Sequence, residues 1–109
     1  MYYIEKTFDI SASHHLELTY PSKCEHIHGH NWRITVYCKA SELDENGMVV
    51  DFSRISHIVK DRFDHQDLTA MMDVNPTAEN IARWICDHVP HCYQVRVQES
   101  EGNVAIYEK

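Results

Sequence analysis

Two stretches of alternating residues, each running its apolar face into histidine, constrain this chain more than any other feature. From Tyr2 to Ser13, Ile4, Phe8, Ile10 and Ala12 share one face, while Glu5, Thr7 and Asp9 share the other. From His30 to Lys39, Trp32, Ile34, Val36 and Cys38 oppose Arg33, Thr35, Tyr37 and Lys39. Successive side chains of an extended backbone point to opposite sides, so this period predicts two half-buried strands. His14 falls on the apolar face of the first strand, just past its end. His28 and His30 continue the apolar face of the second.

Two strands therefore direct three imidazoles toward one place. Three neutral nitrogen ligands leave a zinc ion a fourth position for water or substrate, so His14, His28 and His30 are candidate ligands. His15 competes for the first position, and parity favours His14. A lone histidine is most simply a surface or core residue with a satisfied hydrogen bond. A His-x-His pair meeting a third histidine from another strand is a stronger pattern. Cys24 lies four residues before His28. It admits three readings: a fourth ligand closing a structural site, a thiolate base beside a metal-bound substrate, or an ordinary loop thiol.

The remaining segments frame this cluster. Asp44-Glu45-Asn46-Gly47 reads as a turn. Phe52, Ile55, Val59 and Phe63 recur at helical spacing after a cap at Asp51 or Ser53, and that helix ends near Asp64-His65. Thr77 is the expected N-cap of a second helix, with Ile81, Trp84, Ile85 and Val89 as its buried stripe and Pro90 as its stop. Tyr93 to Glu99 and Asn103 to Glu108 pair as a hairpin through Ser100-Glu101-Gly102. The order predicts an α+β fold, ββααββ: a four-stranded antiparallel sheet with two helices on one face and two open edges. Open edges are usually covered or paired, so neighbouring subunits are expected to close them.

Composition removes several classes of function. The chain has 109 residues, the size of one domain (1–109), and a net charge of −7. That charge argues against nucleic acid or an anionic membrane as partner. It requires local cations, such as Lys23 or Arg33, for any anionic substrate. No apolar run matches a membrane span and the start lacks the features of a signal peptide, so a cytoplasmic location is expected. The four cysteines are irregularly spaced, which predicts reduced thiols. Cys38 and Cys86 fit buried stripes, and Cys92 sits between elements.

Two further positions stand out. Asp64 beside His65 can orient an imidazole if a turn brings them together; a solvated helix end is the plainer reading. Glu99 shares parity with Val95 and Val97 on the inward face, where a carboxylate is costly unless paired or bound to a ligand. It can accept two hydrogen bonds from the amino-imino edge of a pterin or guanine ring; otherwise it pairs with Arg33 or Arg96.

Ser11-Ala12-Ser13-His14, Cys24-x3-His28-Gly29-His30-Asn31, Val50-Asp51-Phe52, Asp64-His65, Asn75-Pro76-Thr77-x-Glu79-Asn80 and Val97-x-Glu99 occur in this order. Together they resemble the 6-pyruvoyltetrahydropterin synthase family over nearly the whole chain. The spacing of Cys24 to His28 resembles the bacterial branch, 6-carboxytetrahydropterin synthase of queuosine biosynthesis. Phe63, Thr69 and Ser100 depart from common choices of that branch without removing a functional group.

The resemblance implies a tunnelling fold (T-fold) whose trimers close a barrel and stack as a homo-hexamer, with sites between subunits. It implies zinc at His14, His28 and His30, a catalytic group of Cys24, Asp64 and His65, and a pterin held by Glu99 with Thr77 nearby. The implied reaction is that of a zinc-dependent lyase: 7,8-dihydroneopterin triphosphate yields 6-carboxy-5,6,7,8-tetrahydropterin, acetaldehyde and triphosphate. The alternatives are a pyruvoyl-forming triphosphate lyase of the same fold and a non-catalytic zinc protein with a closed site of one cysteine and three histidines.

Overall fold

The computed structural model describes residues 1–109. Four strands, β1 (Tyr2–His14), β2 (His28–Ala40), β3 (Cys92–Ser100) and β4 (Asn103–Glu108), form one antiparallel sheet in that order. β1 and β2 pair without interruption, setting Phe8 opposite Ile34, Ile10 opposite Trp32, and His14 opposite His28. Their even-numbered side chains join Cys92, Val95 and Val97 of β3 in a single apolar cluster. Trp32, Ile34, Val36 and Cys38 are fully buried in it. Each such side chain contributes about 1.5–3 kcal/mol through burial.

Three helices lie in the connection between β2 and β3. α1 (Phe52–Phe63) starts at Asp51, whose carboxylate accepts from the Ser53 N–H at 2.8 Å. Ile55, Val59 and Phe63 are buried, but Phe52 is 50% exposed. As the first helical residue, Phe52 projects beyond the core and lines an apolar hollow with Tyr2, Tyr3 and Met48. The expected stripe thus begins one turn later. α2 (Leu68–Met71), capped by Asp67, is an addition to the expected order. Four residues are too few to show a period. α3 (Ala78–His88) is capped by Thr77, whose hydroxyl accepts from the Asn80 N–H at 3.1 Å. Its buried stripe is Ile81, Ala82, Ile85 and Cys86. Trp84 lies at the margin, edge-on to Phe63 at 4.7 Å and stacked on His88 at 3.8 Å.

The β1 edge is less open than expected. Ser11 N–H donates to Asp64 Oδ1 at 2.9 Å, His65 N–H to the Ser11 carbonyl at 2.7 Å, and Ser13 N–H to the Gln66 carbonyl at 3.1 Å. The chain leaving α1 therefore covers the end of β1, satisfying backbone groups that an edge strand leaves unpaired. β1 before Ser11 and the outer side of β4 carry no such cover within the chain. A bulge between Tyr37 and Cys38 leaves Tyr93 as the extra residue of β3. Its ring meets Tyr3 at 6.1 Å and Tyr37 at 6.4 Å. All four cysteines are free thiols. No helix is long and apolar enough to cross a membrane.

Candidate metal centre and active site

The aligned ends of β1 and β2 bring His14, His28 and His30 together. One nitrogen from each lies within 4.8 Å of the others. Two of the rings are oriented by backbone carbonyls. His14 Nδ1 lies 2.8 Å from the Pro76 oxygen, and His28 Nδ1 lies 2.7 Å from the His26 oxygen. Donation from Nδ1 leaves a lone pair on Nε2 of each, the form a metal requires. The Nε2 atoms of His14 and His30 are buried without a hydrogen-bond partner. Buried polar atoms are rarely left so, and a coordinated ion would use both lone pairs. The residues present therefore fit a transition-metal ion.

The electrostatics agree with the geometry. Burial holds His14 and His30 below the ordinary histidine value, outweighing the opposing effect of Glu99 on each and of the Pro76 carbonyl on His14. Neutral imidazole is thus favoured before any ion binds. Trp32 walls the cluster, its ring 4.9 Å from His14 and 5.3 Å from His30. Its indole N–H is satisfied by the Ala12 carbonyl at 3.2 Å. His15, the competing ligand, stands outside the converging group. Thr69 holds its backbone instead, accepting from its N–H at 3.0 Å and donating to its carbonyl at 3.2 Å.

Cys24 sits in a short 3-10 turn (Lys23–Glu25) capped by Ser22. Its carbonyl accepts from Leu16 N–H at 2.8 Å, tying the loop to the end of β1. The half-buried Cys24 lines a hollow of ≈ 460 Å³ with Lys23, His28, His30, Glu99, Ser100 and Asn103. That volume lies within the range of small-molecule sites. Cys24 is not among the converging donors. Cys38, Cys86 and Cys92 are buried in the apolar core, and burial pushes the Cys86 thiol up to about 12.

Glu99 reaches the cluster as its parity requires. Its carboxylate lies 3.5 Å from His30 Nε2 and 3.8 Å from His14 Nε2. Arg33, one expected partner, is bound to Asp9 at 3.0 Å. Arg33 is therefore not a free cation for an anionic substrate, whereas Lys23 lines the hollow. Glu99 also borders a second hollow with Leu16, Leu18, Tyr20, Thr77 and Val104. Thr77 and Glu99 thus line the same hollow.

Asp64 and His65 form a separate group. His65 adopts a left-handed backbone (φ 59), a conformation histidine tolerates better than most residues. Its Nε2 lies 3.9 Å from Asp64 Oδ2, beyond hydrogen-bonding distance. Its exposed ring borders a polar hollow with Ser11, Ser13, Asn31 and Gln66, which His30 also touches. Cys24 and His65 thus lie on different hollows of one chain. Sequence reasoning missed the Pro76 carbonyl and the indole wall, because no local pattern marks a contact between residues 14 and 76.

Residues 3–109 match the protein family described as 6-pyruvoyl tetrahydropterin synthase. A Bacillus subtilis protein, 6-carboxy-5,6,7,8-tetrahydropterin synthase, is 29% identical over 95% of this chain and 83% of its own length. A Dictyostelium discoideum protein, 6-pyruvoyl tetrahydrobiopterin synthase, is 28% identical over 78% of this chain and 73% of its own. The structure of Caenorhabditis elegans 6-pyruvoyl tetrahydropterin synthase superposes with a TM-score of 0.78 at 25% identity, covering 99% of this chain and 95% of that one.

Proposed function

This chain belongs to the 6-pyruvoyl tetrahydropterin synthase family, and within it we propose a zinc-dependent lyase that converts 7,8-dihydroneopterin triphosphate and one water to 6-carboxy-5,6,7,8-tetrahydropterin, acetaldehyde and triphosphate. The observation that carries the reading is the convergence of three imidazoles beside a thiol that is not one of the converging donors. Zinc held by His14, His28 and His30 would polarise the substrate's side-chain oxygens and acidify the adjoining C–H and O–H bonds.

The chain's own groups divide the remaining work. Cys24, as thiolate, takes a proton from the substrate side chain. Glu99 accepts hydrogen bonds from the amino-imino edge of the pterin, with Thr77 lining the same hollow. Lys23 offers a positive charge at the rim of the hollow. His65 exchanges protons from the opposite side; Asp64, 3.9 Å from its ring, would orient it by closing to hydrogen-bonding distance. Since Cys24 and His65 border different hollows, the complete site takes them from neighbouring subunits of a homo-oligomer, a hexamer of two stacked trimers. The cellular setting is the cytoplasm and the pathway is that of queuosine.

The test is incubation of purified, metal-quantified protein with dihydroneopterin triphosphate and mass identification of the pterin. Release of acetaldehyde with 6-carboxytetrahydropterin is expected. 6-Pyruvoyltetrahydropterin without acetaldehyde would establish the second reading, which the Dictyostelium relative's name favours.

A further inference from the structure

The orientation of His14 is set from outside the cluster. Its Nδ1 meets the Pro76 carbonyl at 2.8 Å, and a carbonyl fixes a ring only as well as its own turn is fixed. Two donors hold that turn: Thr77 N–H at 2.8 Å and Asn80 Nδ2 at 2.9 Å, both to the Asn75 carbonyl. The Asn75 side chain reaches in the other direction, to the segment leaving β1. Its Oδ1 accepts from Glu17 N–H at 2.9 Å and its Nδ2 donates to the Glu17 carbonyl at 2.7 Å. Leu16, between His14 and Glu17, carries the Cys24 loop through its own N–H. One planar amide therefore ties the turn that faces His14 to the segment from which both His14 and the thiol loop extend.

We propose that Asn75 is a positioning residue of the metal centre, its side-chain amide setting the Pro76 carbonyl and thereby the direction of His14 Nε2. The inference rests on the three histidines being a metal centre and is independent of which pterin is formed. Leucine at this position keeps the branched shape, with a modest gain in volume, and removes both bonds. The freed Glu17 backbone groups belong to an exposed residue, where water can replace the amide.

Cobalt(II) titration of the full chain tests this, with the visible ligand-field spectrum as second readout. Asn75→Leu is expected to weaken cobalt binding about 10–100-fold and to alter the spectrum. Ile55→Val, a core truncation in α1, is expected to lower the thermal midpoint and leave affinity and spectrum unchanged. Should Asn75→Leu fail to fold, Asn75→Asp, which keeps the acceptor for Glu17 N–H and removes the donor to its carbonyl, decides by a smaller shift in the same direction. Wild-type affinity and spectrum in the folded variant would overturn the proposal. Failure of the wild-type chain to bind cobalt would overturn it together with the metal centre. A cobalt effect in a protein that does not turn over dihydroneopterin triphosphate would support it and refute only the lyase reading.

Discussion

Cys24 and the three histidines lie side by side yet are asked for different chemistry, and single substitutions separate them. Cys24→Ala should leave metal content unchanged and lower turnover about 10²–10⁴-fold, the range for losing a general base. Metal analysis beside acetaldehyde release checks this; loss of zinc along with activity would make Cys24 a ligand. The histidines make a second prediction. Burial holds His14 and His30 below the ordinary value of 6.5. As pH falls through that value the unfolded chain takes up protons that the folded chain refuses. This contribution is intact above about pH 6.5 and is lost progressively below it. The urea midpoint of chelator-treated protein should fall between pH 7 and pH 5, less steeply in His14→Gln; a midpoint that rises on acidification contradicts the assignment.

The N-terminus of α3 has two assignments that one substitution can weigh. Thr77 caps the helix through Asn80 N–H, so Thr77→Ala should cost about 1 kcal/mol of stability in urea unfolding. If its hydroxyl also meets the pterin, KM rises as well; an unchanged KM leaves Thr77 only the cap. The cap and both long strands were legible because each carries a local signal: a threonine before an amphipathic run, and apolar side chains every second residue. Glu99 was legible by parity alone, although β3 is irregular beside it, between Gln98 and Ser100. Phe52 was misplaced because helical spacing does not say where along the axis the core begins. α2 is too short to show a period, and the cover on β1 by residues 64–67 left no trace because it depends on contacts between Ser11–Ser13 and a segment more than fifty residues away. The bond from Pro76 to His14 was hidden for the same reason.

Over the whole molecule, the exposed apolar residues of β4 mark where more chain should attach. Val104 is 41% exposed and Ile106 58%, on a strand whose outer side has no partner in the sheet. Light scattering should give a multiple of the 12.8 kDa chain mass. Ile106→Lys should yield single chains that still bind metal but have lost turnover, because Cys24 and His65 no longer meet. A monomeric wild-type protein with full activity would contradict the shared site. The uninterrupted alignment of β1 with β2, which sets His14 against His28, has a consequence for quality control. Slippage by a single step would rotate one histidine to the far side of the hairpin. Any ion with affinity for the complete trio then acts as a proofreader, stabilising chains threaded correctly and leaving the mis-threaded ones for proteases to find.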